Sequence, residues 1–258
     1  MIQTKFYEAI FKRKSVRNYT LEFLENETLS EIQEFASSVK RLNPDIKTEI
    51  RFVSRDEIKL VLPIKAPHYL MFYSEKSEGY LMNAGYMLQQ IDLFLSMNRI
   101  GSCYLGMAQP TQVAKNLSDL DFVIVLAFGN PLETVHRLNL EAFKRKSTGE
   151  IAHNINDEQF QWVVEAARVA PSASNTQPWF FVNDGDMMHV YRNKPSFLKA
   201  FLYERMNQID IGIVLYHMAL RLELDQVEYH FVKSERGTLS VSKSRDYMMS
   251  IKIGAVAK

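Results

Sequence analysis

The tightest constraint on this chain is the run Glu78–Asn98, "EGYLMNAGYMLQQIDLFLSMN". Drawn as a helix, it is apolar on more than one face, so it must be packed on both sides. A bilayer is not the answer. Tyr80–Met97 carries Asn83, Gln89, Gln90 and Asp92, and no uninterrupted apolar run in the chain is long enough to span one. The cover must come from the rest of the polypeptide. It is available: 258 residues, 47% hydrophobic and 24% charged, are enough for one large domain or two small ones.

Several function classes drop out early. The formal net charge of +1 gives no global field for nucleic acid or an acidic membrane surface. A single cysteine, Cys103, makes a disulfide framework impossible and fits a reducing, cytoplasmic setting. A lone cysteine in such a context reads as inert. CxxC, HExxH and EF-hand patterns are missing, so no metal site is expected. The N-terminus "MIQTKFYEAIFKRKS" has no secretory h-region. It reads as an amphipathic helix, with Ile2, Phe6, Ala9 and Ile10 at helical spacing and Thr4 as N-cap.

The remaining elements follow from periodicity and punctuation. A second helix is expected from Thr28 to Val39, then strands at "EIRFV" and "HYLMFY". "RIGSCYLGMAQP" reads as a glycine-bounded turn segment, and "DFVIVLAFGNP" as the strongest strand. A new series then begins. "INDEQFQWVVEAARVAP" is a helix capped by Asn156, with Ile155 stapled onto Phe160 and Phe160, Val163, Val164 and Ala167 as its stripe. "PWFFVN" and "MMHVYRN" read as strands, "QIDIGIVLYHMALRLEL" as a second mostly apolar helix with His217 in its core face, and "EYHFVKS" and "LSVSKS" as closing strands.

The two series resemble each other. "EAIFKRKSVRN" (Glu8–Asn18) matches "EAFKRKSTGEI" (Glu141–Ile151). Each is followed by a helix, a strand ending in Phe-Val, a second strand and a helix with a central glycine, Gly85 or Gly212. This order predicts a tandem duplication, residues 1–139 and 140–258, with the two repeats intertwined as one globular unit. A symmetric oligomer interface fused into one chain has this form.

Two stretches carry chemistry. "KRKSVR" (Lys12–Arg17) is the densest basic segment. It reads either as cations at a helix C-terminus or as an anion site, with arginine forks and the Ser15 hydroxyl as donors. "APSASNTQPWFF" (Ala170–Phe181) sets a polar loop between two buried elements, as a ligand-facing loop would. "GSCYLG" lacks the Lys-Ser/Thr of a phosphate-binding loop, and GxGxxG does not occur.

"RKSVR", "APSASNTQPWFF", "GSCYLG" and the strand ending "GNP" together resemble the FMN-dependent nitroreductase family over nearly the whole chain. The resemblance implies an α+β, three-layer α/β/α fold. It also implies one site assembled from elements that differ between the repeats. The first repeat has "ASSVKRLNPDIK" in place of the polar loop; the second has Gly149 where Arg17 stands in the first. One complete site would therefore draw Arg13, Lys14, Ser15, Arg17, Tyr104, Leu105 and Gly106 from the first repeat. It would draw Pro171, Ser172, Ala173 and Asn175 from the second. Arg145 and Lys146 match either the duplicated motif or the family's C-terminal basic arm, and on the second reading reach the FMN phosphate. Arg17 resembles the cation near the pyrimidine end of the flavin, whereas Trp179 and Phe181 read as core.

The implied activity is ping-pong oxidoreduction, with FMN as cofactor, NAD(P)H as donor and a small acceptor such as a nitroaromatic or quinone. No general acid or base among the residues stands out as catalytic. A fused pseudo-dimer allows a monomer, and neither nucleic acid nor membrane is an expected partner. The alternatives are an FMN-binding sensor or carrier without turnover, and an interaction protein whose basic motifs are solvated helix ends.

Overall fold

The computed structural model describes residues 2–155, 157–239 and 242–254, apart from the side chain of Lys199. The chain divides into two compact units, Lys12–Leu138 and Met1–Phe11 with Asn139–Lys258. Helix α1 (Ile2–Ile10) buries Phe6, Ala9 and Ile10 of the expected stripe, whereas Ile2 is exposed and Thr4 lies inside the helix rather than capping it. It belongs to the second unit, although it precedes the first in sequence.

In the unit Lys12–Leu138, helix α2 (Asn26–Ser38) buries Ile32 and Ala36. Strand β1 (Thr48–Val53) follows, and a short β2 (Ile58–Lys59) leads to β3 (His68–Ser74), which is buried throughout. Helix α3 (Tyr80–Met97) is the run that demanded cover, and fifteen of its eighteen residues are buried. Strands β4 (Gly101–Leu105), β5 (Gln109–Pro110) and β6 (Asp121–Gly129) complete the unit. The main sheet is antiparallel in the order β1-β3-β6-β4, with β2 and β5 paired separately. The expected turn at 101–105 is thus a strand. Its backbone pairs with the buried β6, Cys103 opposite Ala127, and that pairing outweighs the local glycine signal.

The other unit continues with α4 (Thr148–Ile151), β7 (Ala152–His153) and α5 (Glu158–Arg168). Asp157 caps α5 by accepting from the Gln159 N–H at 2.8 Å, whereas Asn156, the cap expected from sequence, lies outside the described residues. Strands β8 (Trp179–Asp184) and β9 (Met187–Asn193) precede the long α6 (Phe197–Leu224). Helix α6 starts eleven residues before the expected Gln208, because its first turns expose Phe197, Leu198 and Phe201 and so lack an inward stripe. Strand β10 (Tyr229–Val232), α7 (Glu235–Leu239) and β11 (Arg245–Ile253) follow. The strand expected at Leu239–Ser244 is not found: Leu239 ends a helix, 242–244 are turn and coil, 240–241 lie outside the described residues, and the closing strand is the unexpected Arg245–Ile253. The sheet order is β10-β11-β9-β8-β7, with only β7–β8 parallel.

Element for element, β1-β3-β6-β4 and β8-β9-β11-β10 have the same order and the same antiparallel pairing. The long helices also end alike. Arg99 and Gln226 take left-handed φ values of 60° and 56°. The next residues, Ile100 and Val227, each donate back to the fifth residue before them, Leu95 and Leu222, at 2.9 Å. These pairs stand 127 positions apart, as do Gly85 and Gly212.

The start of β4 presses on the basic segment. The Val16 N–H donates to Ser102 O at 2.9 Å, and a Cβ at Gly101 would sit 2.8 Å from Val16 Cγ1. Gly101→Ala should therefore cost roughly 1–3 kcal/mol of stability, the usual range for overpacking. Chemical denaturation of the single variants and of the Gly101→Ala, Val16→Ala double variant should show a cost well below the sum of the two.

Candidate functional site: a basic ribbon and a clamped loop

In the unit Lys12–Leu138 the basic segment does not continue α1. It runs extended and pairs with the chain after β6. Isolated bridges join Arg13 to His136 and Tyr19 to Pro131. The Lys14 N–H donates to Val135 O (3.3 Å), Arg137 N–H to Lys12 O (2.7 Å) and Leu132 N–H to Asn18 O (2.9 Å). The result is a two-stranded ribbon in which sequence-distant cations become neighbours.

Arg13 is the ribbon's anchor. Its side chain is 2% exposed, and its Nε lies 2.9 Å from the Asp92 carboxylate, itself 0% exposed. Asp92 also accepts from Ser102 Oγ (2.6 Å) and Gln89 Nε2 (3.3 Å), and Tyr104 OH donates to Gln89 Oε1 (3.2 Å). A buried carboxylate with two hydrogen-bond donors and an ion-paired guanidinium is the compensated arrangement that burial of charge demands. Arg13 Nη2 donates to Ser15 Oγ at 3.2 Å, and Lys14 Nζ to Glu133 Oε2 at 2.7 Å. Glu133 also takes the Arg17 N–H at 3.1 Å, and the Lys14 bond above all holds its carboxyl below the usual range. The Arg17 side chain is exposed. Leu105 is buried, Tyr104 and Gly106 half-buried. Burial pushes the Cys103 thiol up, so it is no ready nucleophile.

The second candidate element is the loop Ala170–Pro178 in the other unit. Ser174, Asn175 and Gln177 take φ values of 50°, 56° and 49°. Three non-glycine residues in the left-handed region cost about 1–3 kcal/mol each and persist only where their surroundings enforce them. Here they do. Lys144 O accepts from Asn175 Nδ2 (3.0 Å), and Arg145 donates Nη1 to Asn175 Oδ1 and Nη2 to Val169 O (3.1 Å). The Lys146 N–H donates to Gln177 Oε1 (2.8 Å), and its Nζ to Gln177 O (3.1 Å). From the opposite side, the Ala173 N–H points at both oxygens of Asp210, each at 3.1 Å. Gln177 N–H donates to Ser172 Oγ (2.9 Å), which keeps its own hydrogen to donate. Pro171 is buried, Ser172 and Ala173 are half-buried, and Ser174 and Asn175 are exposed. Trp179 and Phe181 are fully buried core residues.

The structure thus groups Arg13, Lys14, Ser15 and Arg17 in one ribbon, and Arg145 and Lys146 with Pro171, Ser172, Ala173 and Asn175 at one loop. Asp92, Glu133, Arg137 and Asp210 were not singled out from sequence as site residues. The two buried aspartates did leave a signal: a carboxylate inside an otherwise apolar helix needs a partner. Among the described residues no group of three or more His, Cys, Asp or Glu is placed to hold a metal. No described helix is long and apolar enough to cross a membrane.

The chain belongs to the nitroreductase family: the family described as "Putative TM nitroreductase" matches residues 5–222. Among solved structures it is similar to a "putative nitroreductase" from Thermotoga maritima, at 21% identity and a TM-score of 0.67, covering 97% of this chain and 94% of that one. At that identity the likeness is one of fold. An FMN-dependent nitroreductase from Clostridium difficile R20291 aligns at 16% identity over 60% of this chain and 99% of that one, TM-score 0.44. A "Putative NADH dehydrogenase/NAD(P)H nitroreductase" from Parabacteroides distasonis aligns at 16% over 58% and 98%, TM-score 0.45. No curated protein matches.

Two substitutions probe the anchors. Asp92→Ala strands a buried guanidinium and should cost about 3–5 kcal/mol in urea unfolding. Asp210 is 4% exposed, and burial raises its carboxyl well above the ordinary value of 3.8, against the smaller opposing effect of the Ala173 N–H. The folded state therefore keeps a proton that the unfolded state releases, and stability falls as pH rises above 3.8. The slope approaches about 1.4 kcal/mol per pH unit while the folded group stays protonated. Asp210→Asn mimics the neutral acid and should lose this slope. Unfolding series from pH 4 to 8 should favour the Asn variant increasingly as pH rises.

Proposed function

We propose that the protein is an FMN-dependent oxidoreductase, a fused pseudo-dimer that binds one flavin per chain and is driven by NAD(P)H. The observation that carries the reading is a complementary asymmetry. The duplicated "FKRKS" segments fold differently: Val16 and Arg17 stay extended in the ribbon, whereas Thr148–Ile151 coils into α4 behind the Ser147–Glu150 capping box. The clamped loop follows the coiled copy; the equivalent place before β1 has instead the segment whose Leu42 and Asn43 N–H groups donate to Asn83 Oδ1. Matching strand orders and helix ends support the duplication.

The donor set fits FMN. Lys14, Ser15 and Arg17 suit the phosphate and the flavin's anionic edge, and Arg13 holds them in place from beneath. Ser172 and the loop backbone at Ala173 suit polar ring atoms, with Pro171 as an apolar wall; Asn175, Arg145 and Lys146 keep the loop in shape. Tyr104, Leu105 and Gly106 line the flavin's face in this reading. Bound there, FMN would supply the redox chemistry for ping-pong oxidoreduction between NAD(P)H and a small acceptor such as a nitroaromatic or quinone. The chain's part is to bind, orient and tune charge: a cation at Arg17 favours negative charge on the ring and raises its potential.

The test is the absorbance spectrum of the purified or FMN-reconstituted protein. One flavin per chain, bleached by NAD(P)H without oxygen, is expected; a colourless protein that cannot be reconstituted overturns the reading, and two flavins overturn the asymmetry. Arg17→Ala should weaken FMN binding about tenfold or more, as loss of a charge-assisted contact does, and lower the flavin potential.

A further inference from the structure

We propose that the free edge of β1 is a self-association surface, on which a second copy of this chain docks its own β1 antiparallel. The two sheets differ at this point. Strand β8 is flanked by β9 and by the parallel β7, whereas its counterpart β1 pairs with β3 alone among the described residues. The Glu75 N–H donates to Lys47 O at 3.1 Å. The alternation of an antiparallel ladder then gives the backbone groups of Glu49, Arg51 and Val53 to β3. It turns the N–H and C=O groups of Thr48, Ile50 and Phe52 to the open edge. Such a row is a template for another strand.

Charge selects the partner and the register. Arg51 Nη2 lies 2.9 Å from Glu49 Oε2 on one face of β1, with side chains 49% and 37% exposed, respectively. A twofold axis at Ile50 sets each Glu49 opposite the partner's Arg51, and Ile50 opposite the partner's Ile50. Thr48 then stands opposite the partner's Phe52, so every outward-facing residue exchanges both of its backbone bonds. Sliding by two residues keeps the same side chains on each face, but it sets Glu49 against Glu49 or Arg51 against Arg51. On the other face, Ile50 and Phe52 are half-buried and border a groove of about 240 Å³ together with Ala36, Val39 and Met87. The partner's Ile50 and Phe52 continue that apolar face across the axis. The strand has six residues, so the contact is small and the dimer reversible.

Sedimentation velocity of the full chain over a concentration series tests this, with Glu49→Arg and Arg51→Glu measured singly, combined in one chain, and mixed. Wild type should dimerise reversibly. Each single variant opposes like charges on both sides of the axis and should weaken the dimer about tenfold or more. The doubly substituted chain and the equimolar mixture of single variants both restore opposite charges, and both should recover it. Monomeric wild type at every concentration overturns the proposal. So does a dimer that neither single variant weakens, or a mixture that fails to recover it. A monomer whose Ile50 and Phe52 amides are protected from hydrogen exchange also overturns it, because another segment then covers the edge.

Should a single variant fail to fold, Ile50→Pro carries the test, since it removes an outward N–H that β3 does not use. Loss of its dimer with an unchanged circular dichroism spectrum supports the edge, and an undiminished dimer overturns it.

Discussion

The buried Arg13–Asp92 pair is the interaction on which the basic ribbon depends. It fixes the ribbon's buried cation, and it ties the ribbon to α3 through a carboxylate that Ser102 and Gln89 also satisfy. Replacing such a pair with apolar residues is often neutral for stability. Its significance here is therefore positional. With Arg13 held below, the chain from Lys14 to Arg17 stays extended at the edge of β4, with Val16 buried in the core, Lys14 and Ser15 half-buried and Arg17 exposed.

The other half solves a related problem with different chemistry. Asn83 on α3 and Asp210 on α6 occupy matching helix positions, and each is buried and accepts backbone N–H groups from the loop leading into its sheet. An amide and a carboxyl thus serve as equivalent loop anchors. The carboxyl brings a raised proton affinity that the amide cannot. What differs is the loop itself: only the one bound to Asp210 is bent through three left-handed residues and closed from the far side by Lys144, Arg145 and Lys146.

Much of this was legible in the sequence, for physical reasons. Strands such as β3 and β6 are continuous apolar runs, and α5 carries both a stripe and a cap signal, so local pattern and tertiary role agree. The misreadings lie where they disagree. Strand β4 begins with glycine because Val16 needs the space, and α6 begins with apolar residues that point outward. The basic and polar motifs were visible, but their partners were not. Asp92, Asp210 and Arg137 lie 79, 37 and 124 positions from Arg13, Ala173 and Arg13, respectively. No local periodicity reports contacts of that span.

Helix α1 has a consequence for how the molecule is made. It is synthesised before the unit Lys12–Leu138, yet it packs in the unit whose remaining elements come from Asn139 onward, including α6. Residues 11–196 separate α1 from α6, on the order of ten to forty seconds of synthesis at ordinary elongation rates. The unit Lys12–Leu138 is contiguous and has all its strands to hand when its last residue emerges. Were folding to keep pace with synthesis, the contiguous unit would form first, and the apolar face of Phe6, Ala9 and Ile10 would await α6. In topological terms the unit Lys12–Leu138 is an insertion within the other, and α1 reaches its partner α6 across the whole of it in sequence.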